Sequence, residues 1–416
     1  MTQSDVVICG GAVIGSAIAW NLGQIAPELS VTVIERDPSF QHSSTALSAS
    51  GIRQQFSSPL NVAISQFGVA FIRATRRKRP PPPLAGRERK RKRSGGAFPR
   101  SRGWGGGFPA WNLDLNFKEQ GYLTLANTNS GAHILRQNHA IQRPHGADIA
   151  LLSPDALKAR FPHLNVDDLT LASLGLSGEG WFDSIGLMQG YQAESTAKRI
   201  KDEITGFQTK NDKVEAVTLA SGTEIACGAF INAAGPRAAG IAEMAGIDLP
   251  VEPRKRTNFT FDCAHPPKGK LPLMIDPSGV WVRPEGQHFL CGCSPAQDPA
   301  VTHDDFEPRY REFEDIIWPA LAARSPAFNA IKMQAMWAGH YAYNVLDQNA
   351  VTGAHPEIGN FYFANGFSGH GLQQAPAIGR GVAELLALGR YKTLDLSPLG
   401  YERILRNDPL QERCVI

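Results

Sequence analysis

Cysteine is scarce and scattered in this sequence: six residues, Cys9, Cys227, Cys263, Cys291, Cys293 and Cys414, in a chain of 416. No spacing among them suits a zinc site, and a chain this long needs no disulfide staples. All six are expected to be reduced and partly buried. No metal site is expected. Long apolar runs are also missing, and none reaches the length of a membrane span. Between Met1 and the first apolar run there is no room for a signal or transit peptide. These absences exclude a disulfide scaffold, a cysteine-based metal centre and a membrane-spanning protein. They point to a soluble, reducing, cytoplasmic setting. The length exceeds one ordinary hydrophobic core and predicts two domains.

The net charge of +3 hides an asymmetry. The window from Arg76 to Arg102 holds 12 Lys or Arg residues against a single acid, Glu88. The remaining chain is therefore mildly acidic, at −8. One local stretch sets the basic character.

The N-terminus reads "DVVICGGAVIGSAIAWNLGQ". The apolar run Val6 to Cys9 suits a buried parallel strand. Gly10, Gly11 and Gly15 follow, with Ala12, Val13 and Ile14 between them, and then a helical stretch opened by small residues. A second apolar run, "VTVIE", ends in Glu35. Strand, glycine turn, helix, strand and acid in that order form a Rossmann βαβ unit. The helix N-terminus offers free N–H groups and a positive dipole end to a pyrophosphate. Glu35, followed by Arg36, is placed to hold a ribose hydroxyl pair, and its charge disfavours a 2′-phosphate. Ala12 stands where the motif has its second glycine. Ser43, Ser44 and Thr45 come next. They could donate to phosphate or ribose, or simply form a polar turn with a helix cap.

Two later segments repeat the layout. "CGAFINAAGPRAAGIAEMAG" runs from a strand through Ala234 and Gly235 into a helix. "FYFANGFSGHGLQQAPAIGRGVAELLAL" runs from an aromatic strand through Gly366, Gly369, His370, Gly371, Leu372 and Gln373 into a helix with apolar positions at helical spacing. Such a loop presents N–H groups to an anion, including a flavin edge that gains charge on reduction. A second dinucleotide motif is absent, which argues against an NAD(P)H-using flavoenzyme.

These pieces, together with "GYLTLA", "GEGWFD" and "WAGHYAYNVLDQNAVTG", resemble the D-amino-acid-oxidase-like group of FAD-dependent oxidoreductases. That group includes glycine and sarcosine oxidases and dehydrogenases. The resemblance spans nearly the whole chain and is strongest to a member associated with assembly of a respiratory complex. It implies an α/β fold with a Rossmann-type FAD-binding domain built from separate segments, here 1–75, 177–247 and 346–416. It also implies an α+β substrate domain with a mostly antiparallel sheet, here 112–176 and 248–345. The implied reaction is oxidation of the C–N bond of a small amino acid or N-methylated amine by hydride transfer to flavin N5. Oxygen, a flavoprotein or a quinone would accept the electrons. Arg53 corresponds to an arginine that grips substrate carboxylate in some members. His340 is a further substrate-binding candidate, and Tyr341 and His370 are the catalytic candidates. For Tyr341 aromatic packing competes with that role. His370 is a loop residue beside the flavin first and a base second. Arg237 stands where the group has tryptophan. Asp183 reads as a helix N-cap. The alternative function is a FAD-binding assembly factor for a respiratory complex without required turnover.

The basic stretch 76–111 fits none of this. It is rich in Arg, Pro and Gly, and family-like sequence resumes abruptly at "LDLNFKEQGYLTLA". A nucleic-acid arm is the weakest reading, since four consecutive prolines and many glycines build no folded face. A disordered insertion and the product of two compensating frameshifts remain, the second favoured by the sharp borders. Resequencing that interval of the gene distinguishes them.

Overall fold

The computed structural model describes residues 2–76, 108, 111–295 and 297–412. The basic stretch 77–107 lies outside the described residues, as does Cys414.

Two eight-stranded sheets carry the fold. In the first, Phe361–Asn365, Glu224–Asn232, Thr2–Cys9, Val31–Glu35 and Lys198–Lys201 lie side by side and parallel. Val351–Ala354 and the hairpin Ile204–Lys210/Lys213–Leu219 extend it antiparallel. Parallel strands are covered on both faces and read as continuous apolar runs. Val6, Val7 and Ile8 are accordingly buried together. The strand Thr2–Cys9 crosses to Val31–Glu35 through helix Val13–Ile25, which packs on the long helix Gly371–Leu388. Thus the first βαβ unit and the last helix meet.

The second sheet runs Ile331–Asn344, Val251–Cys263, His288–Cys293, Val280–Glu285, Leu273–Ile275, Tyr122–Ala126, Leu171–Gly175, Ile149–Leu152. Every pairing is antiparallel except Leu273–Ile275 with Tyr122–Ala126. Strands alternate their side chains between faces. Phe259 and Phe261 therefore both enter one core with Phe289, Phe313 and Phe328. Burying each such ring stabilises the sheet by roughly 2–3 kcal/mol. Cys291 and Cys293 face the same core, and the five described cysteines are all free. A short ladder, Gly51–Ile52 with Gly180–Trp181, lies apart from both sheets.

One expectation is corrected here. Trp111 was grouped with the atypical insertion, yet it packs edge-on against Trp20, Phe71 and Tyr191. Phe108 touches Phe67 and Phe71. Leu113 N–H donates to the Thr75 carbonyl, so the chain returns beside the end of helix Pro59–Thr75. The core resumes before the family-like sequence does, because a single large ring can fill a hole without any periodic pattern to announce it.

Candidate active site

A cavity of ≈ 360 Å³ opens between the two sheets. Its nucleotide side is built from backbone turns. Gly10 turns the chain with φ +100°, and a Cβ there would strike the Ala233 carbonyl. Only glycine allows both the turn and that approach. Ala12 then caps helix Val13–Ile25 at φ −69°, an angle open to any residue. The second glycine of the motif is thus replaced without backbone strain, and the alanine methyl joins the cavity wall.

Of the candidates read from the sequence, Gly10, Ala12, Val13, Ile14, Glu35, Arg36, Ser43, Ser44, Thr45, Ala234 and Gly235 all line this cavity. So do Arg53, His340, Tyr341, Gly369, His370, Gly371, Leu372 and Gln373. Three cofactor candidates, Gly11, Gly15 and Gly366, are not on its wall. Gly11 N–H donates to Glu35 Oε2 at 2.7 Å. Gly15 seats the helix against the Gly10 carbonyl. Gly366 turns at φ +68° against Val251 and Asn344. These are structural tasks that motif spacing does not separate from ligand contact.

The hydroxyl run stitches the loop in place. Thr45 Oγ1 accepts from Val13 N–H at 3.3 Å, and Ser43 Oγ accepts from Ala46 N–H at 3.1 Å. Ser44 Oγ donates to the His340 carbonyl at 2.7 Å, tying the loop to the second sheet. Glu35 Oε1 accepts from Asp37 N–H at 2.8 Å. Arg237, in place of the expected tryptophan, pairs with Asp304 at 3.1 Å.

On the opposite side the walls are side chains. Arg53 is 6% exposed. Its N–H donates to Gln373 Oε1 at 2.9 Å, and its Nη2 lies 3.0 Å from His370 Nε2. The guanidinium also sits 5.0 Å from the centroid of Phe56. Burial, then the Arg53 charge, hold the His370 imidazole well below its ordinary pKa. His370 is therefore neutral. Guanidinium only donates, so Nε2 is the acceptor and the ring proton sits on Nδ1. Of the two readings of His370, a loop residue beside the flavin first and a base second, the Arg53 contact of its ring fits the first.

Tyr341 and His340 are neighbours on strand Ile331–Asn344 and so face opposite ways. Tyr341 lies 4.9 Å beneath the guanidinium carbon of Arg256, and a Cβ on Gly369 would come within 2.5 Å of its ring. His340 turns to the other face, where Nε2 meets the Asp305 carbonyl at 2.7 Å and the ring stacks on Phe306. Burial lowers its pKa. His340 is thus held by the loop that includes Asp305, on the face away from Tyr341. Arg53, His340 and Tyr341 all line the cavity, the two strand neighbours on opposite faces.

Tyr122, Arg256, Asn258, Leu273 and Trp281 complete the wall and were missed from the sequence. Arg256 makes a two-pronged bond to Asp298 at 2.6 and 2.7 Å. The run "LPVEPRKR" makes a basic strand whose pattern does not tell which cation faces inward. Asp183 accepts from Gly186 N–H at 2.8 Å and caps helix Ser184–Ala193, as read.

The family described as "FAD dependent oxidoreductase" matches residues 5–385. The chain belongs to that family. Its cofactor is FAD. FAD-dependent oxidoreductase domain-containing protein 1 from Bos taurus is 36% identical over 454 residues, covering 100% of this chain and 87% of the relative. Sarcosine oxidase subunit beta from Rhizobium meliloti (strain 1021) is 25% identical over 299 residues, covering 69% of each. Among solved structures, L-proline dehydrogenase from P. horikoshii superposes with a TM-score of 0.80 at 26% identity, covering 98% of this chain and 99% of that one. Glycine oxidase from Geobacillus kaustophilus superposes at 0.75 and 20% identity, covering 96% and 98%, a likeness of fold.

The residues present fit an FAD. Two helix N-termini, at Val13 and Gly371, abut the same cavity, with an acid at one side and a buried cation at the other. A long anionic ligand needs that arrangement. Among the described residues no group of His, Cys, Asp and Glu could hold a metal ion, and no helix is long and apolar enough to cross a membrane.

Proposed function

We propose that this FAD-dependent oxidoreductase oxidises the C–N bond of a small amino acid or N-methylated amine that carries a carboxylate. The observation that carries this reading is Arg53. A buried guanidinium on a cavity wall, fixed through its backbone to Gln373 and through its side chain to neutral His370, is pre-organised for a carboxylate. Guanidinium meets carboxylate with two parallel hydrogen bonds.

When bound, FAD supplies the acceptor for a hydride from the carbon beside nitrogen. The chain supplies orientation. Arg53 holds the carboxylate, and the apolar surfaces of Tyr122, Leu273, Trp281 and Tyr341 enclose the amine and its substituents. The positive charge of Arg53 favours entry of the amine without its proton. The resulting imine is then hydrolysed by water. His370 acts through Arg53 rather than on the substrate. Oxygen, a flavoprotein or a quinone closes the cycle.

The test is the visible spectrum of the purified protein before and after anaerobic addition of sarcosine, proline and a panel of D-amino acids. Bleaching of the flavin bands by one of them supports the reading and names the substrate class. Flavin bands that survive every amine overturn it and favour a FAD-binding protein without turnover.

A further inference from the structure

Residues 53–57 cross the interior without joining either large sheet. Backbone groups buried outside a ladder must find other partners. Here side chains from distant segments supply them. Gln373 accepts from Arg53 N–H, and Ser65 Oγ donates to the Arg53 carbonyl. Gln142 Nε2 donates to the Phe56 carbonyl at 3.0 Å, and Glu412 Oε1 accepts from Ser57 N–H at 2.9 Å.

One residue does more than satisfy this segment. Glu179 is fully buried and absent from the cavity wall. Its Oε1 accepts from Gln54 N–H at 2.6 Å. Its Oε2 accepts from Gln55 Nε2 at 3.0 Å and from Tyr122 N–H at 3.2 Å. Gln55 Nε2 also donates to the Tyr122 carbonyl at 3.1 Å. The segment that carries Arg53 is thereby joined to the strand that carries Tyr122, and both residues line the cavity. Burial pushes the Glu179 carboxyl up, against its three hydrogen bonds and, after them, the Arg53 charge, which favour the ionised form.

We propose that Glu179 is a positioning residue that locks Arg53 and Tyr122 at a fixed separation, so that the substrate carboxylate meets a rigid arginine. The proposal rests on the reading of Arg53 above. Its chemistry requires a carboxylate. All three partners are donors, and a glutamine would set its own N–H groups against at least one of them. Aspartate would be one methylene short of the reach.

The experiment titrates the FAD-loaded full chain at pH 8, where Glu179 is ionised, with acetate and, separately, acetamide, following the flavin difference spectrum. Wild type, E179Q and R53K are compared, and KM and kcat are measured on whichever amine bleaches the flavin. E179Q is expected to bind acetate about tenfold more weakly with acetamide unchanged, and to raise KM while kcat stays within about threefold. R53K tests the underlying reading. If R53K leaves acetate affinity unchanged, or wild type binds no acetate, the role of Arg53 fails and this inference with it. If R53K weakens acetate and E179Q does not, the inference alone fails. Equal losses for acetate and acetamide would mark Glu179 as merely structural and also overturn it. Should E179Q not retain FAD, Q55M removes one bond to Glu179 at similar volume. About threefold weaker acetate binding is then expected, and wild-type affinity would be the overturning result.

Discussion

The two sides of the cavity are made differently. The nucleotide side is a set of backbone turns: Gly10, Ala12 and Gly235 come from strand-to-helix junctions of neighbouring parallel strands. The opposite side is a set of side chains, Arg53, Tyr122, Arg256 and Tyr341, drawn from unrelated places in the chain, with Arg53 bonded to Gln373 and Arg256 to Asp298. A backbone site tolerates almost any side chain that preserves the turn. A side-chain site depends on each supporting bond.

That contrast can be broken most severely at Gly10. G10V puts a branched side chain at φ +100° against the Ala233 carbonyl. Loss of essentially all bound flavin after gel filtration is expected, whatever the substrate. At Arg53 the damage should be confined to the other side. R53K should retain FAD and raise KM for carboxylate substrates about 100-fold, since an ammonium cannot make the two-pronged contact. Flavin absorbance and steady-state kinetics on one sample distinguish the two outcomes.

Glu179 sharpens the comparison through pH. Burial pushes its carboxyl up from the ordinary value to about 7, against three hydrogen bonds and Arg53 that pull it down. The folded protein therefore holds a proton that the unfolded chain has released between the ordinary carboxylate pKa and about 7. Stability from this group is full below that window and is lost as pH rises through it, by about 3 kcal/mol in all. Urea unfolding at pH 5 and pH 8 should show this component in wild type and not in E179Q. A matching component in both would refute the assignment.

His370 should produce a smaller effect. Its ring is neutral across the working range because burial and Arg53 depress its pKa. H370Q is expected to raise KM by about tenfold or less and to leave the shape of the kcat/KM–pH profile unchanged. An acid limb that vanishes in the variant would restore His370 as a base. Smallest of all, D183A removes the cap of helix Ser184–Ala193, away from either side of the cavity. It should cost about 1 kcal/mol in denaturant titration and leave FAD retention and KM alone.

Much of this molecule was legible before any fold was seen. The βαβ unit, the glycine-rich loop before helix Gly371–Leu388 and the cap at Asp183 depend on neighbours within a few residues, so local pattern carries them. Ala12 departs from the motif without strain, and the motif does not reveal which glycines serve φ and which serve space. Gly366 looked like a ligand contact for the same reason. Trp111 was lost in an atypical composition although it packs in the core.

What the sequence alone determined was the βαβ unit, because a strand, a glycine turn, a helix start and an acidic strand end are encoded in one short run. What only the tertiary structure decided was the side-chain wall of the cavity. Nothing local joins Arg53 to His370, separated by 317 positions, or Gln54 to Glu179, separated by 125. Nor does sequence alone say which of two adjacent residues, His340 or Tyr341, lies against Arg256 and which against Asp305. Strand alternation puts the two on opposite faces, but only the packing of the sheet against its loops decides which face each one takes.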